Sequence, residues 1–144
     1  MKLNRIIAVF LCLTAVLSFT ACKYRLKEPE YELGNIEGVT LETKGDITST
    51  GGTFIFKNET DKEIGYGYDY RLQMYKDGEW MDMYAPFDIP AVMLILSPES
   101  ELSLLVDWSK THGNLKSGKY RLIKGCFYDA DPPEILVHCE FEIK

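Results

Sequence analysis

The sequence predicts an all-β protein: an antiparallel β-sandwich of about seven short strands, preceded by a signal peptide and a short tether. Three observations favour this fold. Apolar and polar residues alternate in several stretches after residue 38, as they do in strands with one buried face. Turn residues separate these stretches at short intervals. After the leader, no stretch of ten residues has the apolar spacing of an amphipathic helix.

Composition narrows the classes of function. Of the 144 residues, 46% are hydrophobic and 26% are charged, which excludes a disordered or low-complexity chain. The formal net charge is −6, so the sequence lacks the excess of basic residues that is typical of nucleic-acid-binding proteins. No nucleic-acid partner is therefore expected. The sequence contains no phosphate-binding glycine loop, dinucleotide fingerprint or zinc-ligand cluster. No cofactor and no metal are therefore expected.

Residues 1–21 are expected to be a lipoprotein signal peptide. Lys2 and Arg5 give a positive start, and the apolar run at 6–17 is too short to cross a bilayer as a helix. The cleavage region, Thr20-Ala21-Cys22, resembles the bacterial lipobox, in which the cysteine is diacylated and becomes the new N-terminus. The sequence therefore predicts lipidation of Cys22.

Phe19 bears on how the leader is processed. It stands where the lipobox usually carries leucine, and also where ordinary secretory cleavage needs a small residue. The second requirement favours a lipoprotein over a plainly secreted protein. Two acyl chains hold a protein firmly on a membrane, so the chain is expected to be extracytoplasmic and anchored in the cell envelope.

Residues 22–38 are expected to carry the lipid and form a tether, because they are charged, contain Pro29 and show no periodicity. Removing two basic residues with the signal peptide leaves 14 basic against 22 acidic residues, a balance of −8. Repulsion from an anionic membrane then favours projection of the domain outward. Residues 39–144 are expected to form the sandwich.

The strands follow in order along the domain. The expected strands are 39–42, 53–56, 64–74, 80–84, 102–108, 120–127 and 135–143. The clearest alternation is at 64–74, where every even position is apolar, and it predicts one long strand. Asp77-Gly78 then predicts a two-residue hairpin turn. The resulting pairs are Tyr75 with Trp80, Met74 with Met81, Leu72 with Met83 and Arg71 with Tyr84.

The outward side of this hairpin is the candidate ligand surface. It is expected to carry Arg71, Tyr75, Trp80 and Tyr84. Cross-strand aromatic pairs stabilise a hairpin without any ligand, which is one interpretation. Tyrosine, tryptophan and arginine are also enriched in protein interfaces, and a flat aromatic surface suits a sugar ring. The sequence leaves these alternatives open.

Two cysteines, Cys126 and Cys139, remain in the predicted domain. If the last hairpin is centred near Pro132-Pro133, they lie opposite each other, and neighbouring strands hold a disulfide only in favourable registers. The alternative is a pair of buried free thiols. With only His138 nearby, a zinc site is not expected.

No constellation of residues indicates catalysis. Asp129, Asp131 and Glu134 could contribute to a calcium site, but their spacing is not that of an EF-hand and an ordinary turn explains them. His112 and His138 have no nucleophile at a recognisable spacing, and both are expected to be solvated surface residues. An enzyme is therefore not expected.

Two further segments carry a family resemblance. Asp107-Trp108-Ser109 and the stretch 113–124 resemble a signature of the bacterial immunoglobulin-like domain family. Upstream, Lys57-Asn58, Gly67-Tyr68 and the stretch 77–80 agree with it in order and spacing. The resemblance covers about residues 38–128. It implies an immunoglobulin-like sandwich, often found on small extracytoplasmic lipoproteins, and no catalytic residues.

The residues agree physically with that fold. Leu115, Gly118 and Tyr120 fit a tyrosine corner, in which the tyrosine bonds back to the corner backbone. Leu122 stands where an antibody-type cysteine would fall, so aromatic residues are expected to close the core. The expected role is a non-catalytic binding or protein-interaction module at the cell surface. The alternative is a carbohydrate-binding module that uses the outward aromatics of the hairpin.

Overall fold

A computed structural model describes residues 23–144, so the predicted signal peptide and Cys22 lie outside the described residues. Within this range no helix is long and apolar enough to cross a membrane. The strands are β1 (Arg25–Lys27), β2 (Val39–Lys44), β3 (Gly51–Asn58), β4 (Ile64–Tyr66), β5 (Arg71–Lys76), β6 (Glu79–Tyr84), β7 (Leu94–Leu96), β8 (Ser100–Asp107), β9 (Gly118–Tyr128) and β10 (Glu134–Ile143).

These strands form two antiparallel sheets, which confirms the all-β immunoglobulin-like sandwich. The larger sheet has the order β1-β6-β5-β9-β4-β7, with β10 paired to the other side of β9. The smaller sheet has the order β2-β3-β8. The structure has three strands more than the seven expected, because the N-terminal segment adds β1, the long strand at 64–74 is divided, and β7 forms from the apolar stretch before residue 97.

Aromatic rings close the core between the sheets. Phe54, Trp108 and Tyr120 are completely buried. The Phe141 ring stacks on those of Trp108 and Tyr120, with ring centroids 5.6 and 5.7 Å apart. Fully burying such a large side chain stabilises the fold by roughly 2–3 kcal/mol. This packing therefore holds the two sheets together without a covalent bond between them.

The predicted tyrosine corner is present at the start of β9. The Tyr120 hydroxyl donates a hydrogen bond of 2.7 Å to the Lys116 carbonyl oxygen. The ring is fully buried while its hydroxyl satisfies a corner carbonyl. This contact fixes the loop before β9 against the core.

The expectation of one long strand over 64–74 is wrong, because the strand divides into β4 and β5. From Tyr66 to Arg71 the chain advances five residues, while the paired strand β9 advances three, between Cys126 and Ile123. Two extra residues therefore bulge out. An even number keeps the side-chain alternation in phase on both sides of the bulge, so the sequence pattern conceals the break.

The hairpin of β5 and β6 confirms part of the predicted register. Tyr75 pairs with Trp80 and Met74 with Met81. Asp77 and Gly78 have φ angles of 53° and 90°, the positive values that a two-residue hairpin turn requires.

The two outer pairs of that register, Leu72 with Met83 and Arg71 with Tyr84, are absent from the pairing. The β5–β6 ladder ends at Gln73 and Asp82. Beyond it, Arg71 pairs with Ile123 of β9, while Tyr84 pairs with Arg25 of β1. Outside the β5–β6 ladder, β5 therefore pairs with β9 and β6 pairs with β1.

The expectation of a tether over residues 22–38 is wrong for the part that the structure describes. β1 pairs with the edge of β6, and residues 28–36, which we call the strap, then cross the outer side of the larger sheet. Tyr31 donates a hydrogen bond to the Asp82 carboxylate of β6, and the Gly34 amide donates to the Leu136 carbonyl of β10 over 2.9 Å. Ile36 is buried at the end of the strap. Because single residues make these contacts, the segment has no periodicity.

Candidate functional site

The candidate ligand surface lies on the outer side of the larger sheet, as predicted for an outward-facing hairpin. Tyr75 and Tyr84 are 43% and 45% exposed, whereas Arg71 and Trp80 are half-buried. The Tyr75 and Trp80 rings have centroids 5.1 Å apart and an interplanar angle of 56°. All four side chains face outward, but their surroundings differ.

The strap divides these four residues into two groups. Between the groups, the Gln73 amide donates hydrogen bonds to the Asp82 carboxylate over 3.1 Å and to the Tyr31 hydroxyl over 3.3 Å. The Tyr31 side chain therefore lies across the middle of the hairpin. The four residues do not form one continuous flat platform, because Tyr31 separates the two ends.

The group near the hairpin turn, which we call the distal patch, consists of Tyr75, Trp80 and Arg121. The Arg121 guanidinium lies 3.8 Å from the centroid of the Trp80 ring. Its Nε and Nη2 both donate to Glu140, over 2.9 and 2.6 Å. A guanidinium over an indole is a favourable cation–π contact, and Glu140 fixes its orientation. One face of Trp80 is therefore covered.

The group at the other end, which we call the proximal patch, consists of Arg25, Lys27, Tyr31, Arg71 and Tyr84. In this patch cationic side chains lie beside tyrosine rings. Arg25 and Lys27 of β1 lie 5.4 and 5.8 Å from the centroid of the Tyr84 ring. Arg71 lies 4.8 Å from the centroid of the Tyr31 ring and 3.6 Å from a Glu134 oxygen. The patch is thus held together by β1, the strap and the hairpin.

A pocket of about 270 Å³ opens beside the proximal patch. Its walls include the rings of Tyr31, Tyr84, Phe87 and His112, together with the Lys27 side chain. The alternation in the sequence identified the hairpin residues of this surface. It missed Lys27, Tyr31 and Arg121, because they reach the surface from other elements and only the fold brings them there.

The sequence that forms this two-sheet sandwich matches a known protein family. The sequence model for the bacterial Ig-like domain matches residues 35–141. The chain belongs to the bacterial Ig-like domain family. No curated protein and no solved structure matches it. The match includes β2–β9 and β10 as far as Phe141, and it excludes β1, so the proximal patch combines residues of the Ig-like domain with residues that precede the match.

His112 corrects the expectation of a solvated residue, because it is buried in the corner loop of the Ig-like domain. Its Nδ1 lies 2.9 Å from the Thr111 hydroxyl, and its Nε2 lies 2.9 Å from the Met83 carbonyl oxygen. Burial lowers the pKa of His112 below its usual value, against the opposing effect of the Met83 carbonyl. Both ring nitrogens are engaged within the domain, so the side chain joins the corner loop to the end of β6.

His138 lies half-buried on the outer side of β10. Burial, followed by the nearby Arg121 charge, lowers the pKa of this imidazole.

The predicted alignment of Cys126 with Cys139 is wrong. Cys126 pairs with Ile135, and Cys139 pairs with Leu122, so both face the core four residues apart along the ladder. The chain reverses earlier than Pro132-Pro133, at Asp129 and Ala130, whose φ angles are 54° and 55°. Both thiols of the Ig-like domain are free and buried. Burial raises the pKa of Cys126 to about 12.

The acidic loop does not converge on a cation position. Asp129 lies 3.7 Å from Lys62, and Glu134 lies 3.6 Å from Arg71. In residues 23–144 there is no group of three or more histidine, cysteine, aspartate or glutamate side chains that could hold a metal ion. These acids form surface ion pairs.

Proposed function

We propose that this chain is an extracytoplasmic lipoprotein, anchored through Cys22, whose Ig-like domain is a non-catalytic module that binds another protein at the cell surface. The binding surface is the distal patch. The observation that carries this proposal is the arrangement of an exposed Tyr75 against Trp80, with Arg121 held over the indole by Glu140.

The chemistry of the distal patch suits a protein partner. Tyrosine, tryptophan and arginine are the residues that most often dominate binding energy in protein interfaces. Arg121 is pre-oriented by two hydrogen bonds to one Glu140 oxygen, so less side-chain entropy remains to be lost on binding. The short hairpin turn keeps Tyr75 and Trp80 on a rigid pair of strands. The patch therefore presents preorganised side chains.

The same geometry disfavours the alternative of a carbohydrate-binding module. Stacking of a sugar ring needs an open aromatic face, but Arg121 occupies one face of Trp80 at 3.8 Å. The strap also interrupts the aromatic surface between Tyr75 and Tyr84. A protein partner contacts the edges of aromatic rings and charged groups as well as ring faces, so it fits the uneven surface of the distal patch better.

The anchor is tested by mass spectrometry of the membrane fraction. We expect an N-terminal peptide that begins at Cys22 and carries acyl chains. Support comes from the positive start, the short apolar run and the lipobox-like sequence. An unmodified N-terminus at Lys23, or an uncleaved Met1, contradicts the anchor.

Binding by the distal patch is tested in living cells with a photo-crosslinking amino acid in place of Tyr75. The matched control carries it in place of Tyr128, which is 40% exposed against 43% for Tyr75. We expect a discrete adduct with one other protein from position 75 only. Adding Trp80→Ala should reduce the adduct about tenfold or more, since truncating a central interface residue costs ~1.4 kcal/mol or more.

Two results contradict the proposal. Equal adducts from positions 75 and 128 show that the distal patch is not a specific surface. Absence of an adduct at position 75, together with glycan-array binding that Trp80→Ala abolishes, establishes the carbohydrate alternative instead.

A further inference from the structure

We propose that the proximal patch rests on the membrane and binds the phosphate groups of anionic lipid headgroups. This proposal depends on the lipidation of Cys22 proposed above. It places the domain directly on the bilayer, with the distal patch as the surface that remains for a partner. It also reverses the expectation that an acidic domain projects outward on a tether.

The chain between the anchor and the domain is short. Lys23, the residue after Cys22, already packs on the domain, because its ammonium group lies 3.3 Å from the Ser109 carbonyl oxygen. Arg25, two residues further on, pairs with Tyr84. An extended chain spans at most ~3.6 Å per residue, so a lipid on Cys22 has only about 11 Å of chain before β1. The anchor therefore holds this side of the domain at the membrane.

That side of the domain carries four exposed cations. Lys23, Arg25 and Lys27 are exposed, and so is Lys110, which follows the Ser109 that Lys23 contacts. Each cation near an anionic bilayer surface contributes favourably to its association with that surface. The net charge of −6 for the full chain belongs to the whole sequence and not to this side. These four cations, offset in part by the exposed Asp107 carboxylate beside Lys110, are the groups that meet lipid phosphates on this side.

The shape of the proximal patch also suits a membrane surface. Tyr84 is exposed between Arg25 and Lys27, and tyrosine favours the membrane interface because its ring is apolar and its hydroxyl is polar. The adjacent pocket of about 270 Å³ has Lys27 and Arg71 in its lining. A headgroup phosphate can enter between these two cations.

Three carboxylates lie close to the same site. Lys27 is 3.4 Å from Glu30, and Arg71 is 3.6 Å from Glu134, but both pairs are exposed. Exposed ion pairs contribute little stability, so a phosphate can replace these partners at small cost. The third carboxylate, Asp82, accepts hydrogen bonds from Tyr31 and Gln73. Its charge is therefore already partly compensated.

A purely structural role for these cations has a different consequence. Charged side chains on an edge strand prevent unwanted strand pairing, and β1 is at the edge of the larger sheet. That role needs no lipid, so it predicts the same accessibility of these lysines in every membrane.

The experiment measures lysine acetylation rates in the full mature protein, reconstituted in vesicles with and without phosphatidylglycerol in phosphatidylcholine. We expect Lys23, Lys27 and Lys110 to react about fivefold more slowly with phosphatidylglycerol present, the ratio equivalent to ~1 kcal/mol per cation at an anionic surface. Lys76, at the hairpin turn, and Lys144 serve as reference positions and should keep their rates.

Variants separate charge attraction from mere closeness to the anchor. Arg25→Gln with Lys27→Gln should return Lys23 and Lys110 to the rates of the reference lysines. Lys44→Gln with Lys57→Gln removes the same charge from the smaller sheet and should leave the protection intact.

Each remaining outcome overturns the proposal. An acylated N-terminal peptide with unprotected Lys23, Lys27 and Lys110 refutes the membrane contact while the anchor stands. Equal protection in both kinds of vesicle refutes the role of anionic headgroups, because phosphatidylcholine has a phosphate but no net charge. An N-terminal peptide without acyl chains refutes the anchor and, with it, the membrane contact.

Discussion

At the scale of single residues, His112 shows how a loop position becomes part of the core. Its imidazole bonds to the Met83 carbonyl oxygen and lies among the rings of Tyr24, Tyr70 and Phe87, with centroids 6.1, 6.3 and 5.7 Å away. A lone histidine in a polar stretch gives no sign of this in the sequence. The burial becomes visible only when β1 and the loop after β6 close around it.

Burial of His112 predicts a pH dependence of stability. Its folded-state pKa is lowered from the ordinary 6.5, so the unfolded chain binds the proton first as the pH falls. The free energy of unfolding should hold above about pH 6.5 and decrease below it. Urea unfolding between pH 7 and 5 measures the effect, and His112→Gln should remove much of the decrease.

His138 provides the comparison, because burial and the Arg121 charge also lower its pKa but the side chain is only half-buried. His138→Gln should retain more of the decrease than His112→Gln does. If wild type and His112→Gln lose stability in parallel as the pH falls, His112 is not the group responsible.

At the scale of elements, the bulge between β4 and β5 is held by a buried lysine. Lys124 of β9 faces the core and donates hydrogen bonds to the Gly67 and Asp69 carbonyl oxygens, over 2.6 and 2.5 Å. Its ammonium group also lies 5.7 Å from the centroid of the Tyr66 ring. These contacts satisfy backbone groups that lack a strand partner, which otherwise cost free energy when buried.

Lys124→Met should therefore loosen the bulge while keeping the length of the side chain. We expect a loss of ~1–3 kcal/mol in the free energy of unfolding, because two part-buried carbonyl groups lose a charged donor. Amide hydrogen exchange at residues 67–70 should accelerate. Lys62, which forms an exposed ion pair with Asp129, provides the control. Lys62→Met should change the free energy of unfolding by less than ~0.5 kcal/mol. Unchanged exchange in Lys124→Met contradicts this role.

At the scale of the whole molecule, the sandwich is closed by aromatic packing and not by a covalent link. Trp108, Tyr120 and Phe141 stack in the centre of the core, and both described cysteines remain free. The register of β9 with β10 separates Cys126 from Cys139 along the ladder. The folded state should therefore be insensitive to reductant.

Thiol titration measures this directly in a form of the chain that begins at Lys23. Burial raises the pKa of Cys126 to about 12 and that of Cys139 in the same direction, so neither is a reactive thiolate at pH 8. We expect no rapid reaction with a thiol reagent in the folded protein and two thiols per chain in denaturant without reductant. Cys126→Ala should leave one. Fewer than two thiols in the denatured wild type indicates a disulfide.

Patterns that depend on neighbours in the chain were readable from the sequence. Asp77-Gly78 fixed the pairs of Tyr75 with Trp80 and of Met74 with Met81, since turn chemistry sets hairpin register. In β10 the alternation of apolar and polar residues agrees with the burial of Val137 and Phe141 in the core.

Features that depend on distant contacts were not readable. Tyr31 attaches the strap through hydrogen bonds with Asp82 and Gln73, and Gly34 through one with Leu136. The bulge adds an even number of residues, and the early reversal at Asp129 shifts Cys126 away from Cys139. In the candidate site, Arg121 reaches Trp80 from β9. Such contacts arise from the assembled sheet and leave no periodic signal.

The hydrogen bond between Gly34 and Leu136 has a consequence for the order of events in biosynthesis. It joins the strap to the last strand, so Gly34 has no partner in β10 until the end of the domain has been synthesised. Contacts at such sequence separation form late and slow the folding reaction. We expect the strap to reach its final position only after β10 has been synthesised and has paired with β9.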